Sequence, residues 1–164
     1  MTTIRKPKSA SRRKSPPIQY CTYMIEFIDW KVRYSFSTNR NRPRTLGPYS
    51  EYSVIDITGR LILPEKHADT VIECNIYGRR EYDPYISSPE DYDKVDSHSV
   101  GIINIRKDYS SFWGWVPFTA FPMIANMFAT KDFNYLQLFG EPLKYRSASI
   151  YSIDLRKDYD PEDC

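Results

Sequence analysis

The chain has 164 residues, 41% of them hydrophobic and 27% charged, with a net charge of +2. That length fits one compact domain, and a domain of this size buries about two thirds of its unfolded surface, enough for a core of its own. Cys21, Cys74 and Cys164 are far apart, form no CxxC and have only two histidines to supplement them, which argues against the clustered ligands of a structural zinc site.

The first 17 residues carry Arg5, Lys6, Lys8, Arg12, Arg13 and Lys14 and no acid. Six cations out of a net +2 leave the remainder at −4, a mildly acidic body behind a basic tail. With its serines and prolines the tail cannot bury a core, so residues 1–17 are expected to be disordered. It lacks the apolar run of a secretory signal, and a cytoplasmic location with reduced thiols follows as the expectation. A Cys21–Cys74 disulfide is the alternative.

Fourteen tyrosines and many β-branched residues favour strands. Residues 20–28 alternate, with Cys21, Tyr23, Ile25 and Phe27 on one face. Asp29-Trp30 reads as a turn, and 31–37 alternates again with Val32, Tyr34 and Phe36 inward. An Arg-rich loop follows. Arg33, Arg40, Arg42 and Arg44 stand in a stretch without acids, and planar guanidinium forks suit phosphate or carboxylate. Pairing with the acid-rich connection 81–96 is the plainer reading of those arginines.

Segments 52–57 and 60–63 flank Thr58-Gly59, a turn or bulge signal, and 70–77 alternates with Ile72, Cys74 and Ile76 on one side. Residues 78–97 are a long polar connection, and 99–106 is a further strand. The next charge-free stretch, 109–130, is the most unusual part of the chain. Its end, 119–130, predicts the one helix, capped by Thr119, with Pro122 in the first turn and a stripe of Phe121, Ile124, Ala125 and Phe128. Prolines and polar residues interrupt the stretch too often for a membrane span. Strands at 134–139 and 145–155 complete the chain before an acidic end, 158–164.

These elements predict a mainly β domain over 18–157, an antiparallel sandwich or barrel-like fold with one short helix. No Gly-rich phosphate loop, GxSxG elbow or calcium loop is present, so neither catalysis nor a cofactor is expected. The leading expectation is a binding module that offers Trp113, Trp115, Phe121, Met123 and Met127 to a protein partner or small apolar ligand. Tryptophan and methionine are enriched at interface centres. The alternative is nucleic-acid binding through Arg33, Arg40, Arg42, Arg44 and the basic tail. Solvent exposure of the tryptophans and methionines is what separates a contact surface from ordinary core.

Overall fold

A computed structural model of the chain describes residues 19–38, 49–80 and 99–160. The basic tail, Arg40, Arg42, Arg44 and the acid-rich connection therefore lie outside the described residues. Within them the strands are β1 (Cys21–Thr38), β2 (Tyr49–Leu63), β3 (Val71–Arg79), β4 (Gly101–Asn104), β5 (Ser111–Pro117), β6 (Tyr135–Gly140) and β7 (Ser147–Arg156). They close into a barrel in the order β1-β2-β3-β5-β4-β7-β6, and one helix, α1 (Phe121–Ala129), joins β5 to β6. The fold is thus the barrel form of the expected architecture. One pair, β3 with β5, is parallel, and the other pairs are antiparallel.

Side chains that alternate inward from every strand fill the interior. Tyr23, Ile25, Ile55, Ile57, Ile72, Ile76, Ile103, Phe112, Leu136, Leu138 and Ile150 are all essentially inaccessible. Each aliphatic side chain so placed contributes about 1.5–3 kcal/mol relative to exposure. The Tyr23 hydroxyl is also buried, and it donates to the Glu141 carbonyl at 2.7 Å. Cys21 and Cys74 are both free thiols, and burial pushes the Cys74 thiol well above its ordinary range.

Two expected boundaries dissolve into longer strands. Asp29-Trp30 is not a turn. β1 runs through it with a bulge between Phe27 and Asp29, where the register against β2 shifts. The extra residue, Ile28, is half exposed, and Phe27 and Trp30 both remain on the interior side. An inserted residue of this kind bends a strand and sharpens its twist. Gly59 sits opposite Phe27 at the bulge, so of the two readings of Thr58-Gly59 the bulge holds and the turn does not, and β2 runs through it. A Cβ on Gly59 would collide with Ile25 Cγ2 and lie 2.8 Å from the Glu26 carbonyl oxygen. The bulge brings the backbones so close that only glycine fits.

The helix closes one end of the barrel. Phe128 stacks on Phe27 and tilts against Trp30, each at 5.4 Å, and Phe121 lies over Gly78 at the end of β3. The predicted stripe holds: Phe121 and Phe128 are buried, and Ile124 and Ala125 pack beside them. Thr119 does not cap the helix. It belongs to a 3-10 turn, Phe118–Ala120, that leads into α1 without a side-chain cap. Lys131, with φ 56°, ends the helix in the left-handed region. No helix of the described residues is long and apolar enough to cross a membrane.

Candidate functional site

β1 and β2 are longer than the barrel wall. β6 pairs with β1 only at Cys21–Glu26, and the β2–β3 ladder ends at Val54 opposite Tyr77. Beyond those points β1 and β2 continue as a two-stranded ribbon, with Phe36 opposite Glu51 and Thr38 opposite Tyr49. Val32, at the end of the wall, and Tyr34 and Phe36, beyond it, keep the interior side of the pleat, but among the described residues no opposing strand covers them. They are 39%, 61% and 58% exposed, against the expectation that they point into a core.

A groove of about 610 Å³ opens between this ribbon and the helix end of the barrel. Phe36 and Tyr49, stacked at 5.4 Å, form one wall. Phe118 forms the opposite shoulder, and Ser53 and Gly78 lie on the floor. Glu51 braces the two sides. Its carboxylate accepts from the Tyr34 hydroxyl at 3.1 Å and from Arg80 Nε and Nη2 at 3.0 and 2.6 Å. The Arg80 guanidinium also lies 4.3 Å above the Phe118 ring. Since Arg80 is largely solvent-exposed, that ion pair orients the groove more than it stabilises the fold.

Ser53 is unusual. It is 3% exposed, and its Oγ has no hydrogen-bond partner. A Cβ added to Gly78 would lie 2.6 Å from that oxygen and 3.2 Å from Phe121, so the hydroxyl is closely packed between the glycine backbone and that ring. A buried hydroxyl left unmatched costs about 1–3 kcal/mol, and a ligand atom recovers it only where the packed Gly78 and Phe121 beside it give way.

The charge-free belt is divided by the pleat of β5. Phe112 and Gly114 point inward, whereas Trp113 and Trp115 point outward. Trp113 is 46% exposed; Trp115 is half-buried beneath the Arg79 guanidinium, 5.0 Å from its ring. On the helix Phe121 is buried, Met127 half-buried and Met123 62% exposed. The five residues therefore lie on the outer wall, in the core and on the outer side of the helix, and the groove meets this stretch at Phe118.

Arg33 occupies the outer face of the ribbon base. Its Nε and Nη2 donate to Asp56 at 2.5 and 2.8 Å, and Asn75 Nδ2 donates to the same carboxylate at 2.7 Å. Hydrogen bonding from Arg33 holds the Asp56 carboxyl below its usual range and raises the guanidinium in turn. The Arg33 fork, one of the candidates for an external anion, is thus matched within the chain by Asp56.

Sequence reasoning missed Ser53, Glu51, Gly78 and Arg80. It placed Phe36 correctly on one face and took that face for core. The missing signal was strand length: pairing 31–38 with 49–56 would have shown aromatic residues at both ends of the ribbon. The chain matches no protein-family model, no curated protein and no solved structure.

Proposed function

We propose that this protein is a non-catalytic binding module whose groove receives an aromatic side chain of a protein partner. The observation that carries this reading is the unmatched Ser53 hydroxyl on the floor of an aromatic-walled groove. The walls ask for a flat apolar group, and the floor asks for one hydrogen-bonding atom. The groove also falls within the roughly 300–1,000 Å³ of ordinary ligand sites. Glu51 and Arg80 already satisfy each other, so the rim calls for no charged ligand group. A tyrosine-like side chain meets these demands.

The test uses para-cresol as the probe, with toluene as its counterpart lacking the hydroxyl. Cresol should shift the Tyr49 ring and Ser53 amide resonances saturably, with an affinity around millimolar for so small a ligand. Ser53→Ala should remove the preference for cresol over toluene, and Phe36→Ala should weaken both. If neither compound moves those resonances, or Ser53→Ala leaves the preference intact, the groove is not the site.

A further inference from the structure

The end of the barrel opposite the helix carries a second concavity, independent of the groove. β4 reaches it at Asn104, β5 starts from it at Ser111, and β7 starts from it at Ser147. The space, of about 580 Å³, is shared by Asn104, Arg106, Asp108, Tyr109, Trp113 and Arg146. Trp113 and Tyr109 are 46% and 56% exposed. Neither makes a ring contact with another described residue, in contrast to Trp115 beneath Arg79. Arg106 and Arg146 are exposed and form no ion pair among the described residues, unlike Arg33.

The two arginine-bearing turns are held in place. Ser110 Oγ bonds both the backbone N–H and the carbonyl of Arg106, at 3.2 and 3.1 Å, which closes the 106–110 turn. Ile105 N–H donates to the Arg146 carbonyl at 2.9 Å and ties one turn to the other. Lys144 and Ser147 exchange backbone hydrogen bonds around Tyr145 and Arg146, whose φ angles are 52° and 70°. Such two-residue hairpin turns favour Asn-Gly, because both central residues are left-handed. Here Tyr145 stands wholly in solvent, so packing of its side chain does not account for the choice. Strain of this kind concentrates where a side chain must be presented.

We propose that this end of the barrel binds single-stranded nucleic acid, with a base stacked on Trp113, its neighbour against Tyr109, and backbone phosphates held by Arg106 and Arg146. Free aromatic faces beside unpaired guanidinium groups are the elements of a single-strand platform. A guanidinium fork matches phosphate geometry, and the Asn104 amide can bond a base edge. A charged membrane would engage the arginines but has no flat group for the two rings. That makes nucleic acid the better match.

The experiment uses the full chain labelled with 5-fluorotryptophan, the Trp113 resonance being assigned through Trp113→Phe. An oligo(dT) decamer should move that resonance saturably. Trp113→Ala should weaken binding about 5- to 150-fold, the range of one lost base stack. Arg106→Gln with Arg146→Gln should flatten the slope of log affinity against log salt by about 1.4, since each single-strand phosphate contact contributes about 0.7. All these residues are exposed, and an unchanged melting midpoint would verify that the variants fold. The proposal is overturned if the decamer leaves Trp113 unmoved, or if the double variant keeps the parent's salt slope. It is equally overturned if thymidine monophosphate binds as tightly as the decamer, or if phosphatidylglycerol vesicles shift Trp113 and the decamer does not.

Discussion

The two halves of β1 carry the same alternation and meet opposite fates. Tyr23 and Ile25 are wholly buried, while Tyr34 and Phe36, on the same side of the same strand, are more than half exposed. Apolar character does not separate them. The first half has β2 on one edge and β6 on the other, so its inner face looks across a closed barrel. Among the described residues the second half has β2 alone, and a two-stranded ribbon has no opposing layer to bury its face. Burial here is a property of the closed sheet, and side chains that outrun the closure become available for contact.

The comparison is most directly broken by truncating one residue in each half. Ile25→Ala should cost about 2–5 kcal/mol through lost burial and the cavity left behind. Phe36→Ala, away from the core, should stay within about 0.5 kcal/mol. Denaturant unfolding measures both, and equal losses would mean that the ribbon is as structural as the barrel. At the junction of the halves, Gly59→Ala should destabilise by about 1–3 kcal/mol, because the new methyl must displace Ile25 or the bulged backbone. A thermal melt no lower than the parent's would show that the bulge is not tight.

Asp56 anchors the base of the ribbon through Arg33 and Asn75. Hydrogen bonding from Arg33 lowers its carboxyl in the folded state. Its contribution is therefore complete above about pH 4, the unfolded value, and is lost as the pH falls through the lower folded one. Asp56→Asn should destabilise the protein modestly at neutral pH and flatten the acid limb of stability against pH. An unaltered limb would show that the Arg33 contact has no energetic consequence. The smallest perturbation is none: in native hydrogen exchange the amides of 31–37 should exchange faster than those of 22–26, whose opening requires the barrel to open. Equal protection would place the ribbon within the cooperative unit.

Much of the fold could be read directly from residue patterns. The period-two runs marked the strands other than β5, and Phe121, Ile124, Ala125 and Phe128 identified the helix and the face it buries. What failed was joining segments. Asp29-Trp30 and Thr58-Gly59 carry turn-like chemistry, yet each lies within a continuous strand, because a bulge and its glycine look locally like a turn. The parallel β3–β5 pair left no local mark, since it depends on where the chain returns after a long connection. The belt was legible as a feature and not as a site. Alternation along β5 sends its tryptophans outward and Phe112 inward, a division that appears only once 111–117 is seen to be a strand. Ser53 was invisible because nothing in a sequence tells a satisfied serine from an unmatched one.

Closure of the barrel joins Cys21 to Gly140 across the β1–β6 seam. Ribosomal synthesis must therefore deliver β6 before β1 can gain its second neighbour. Until then the inner face of β1, with Tyr23 and Ile25, has only the partial cover of β2 and β3. Pairings between such distant segments carry a large loop-closure entropy and place folding in the slower, millisecond-to-second regime of β proteins. During that interval the nascent chain exposes an apolar strand edge, which makes the seam the point where assembly is most open to misdirected pairing or to a chaperone.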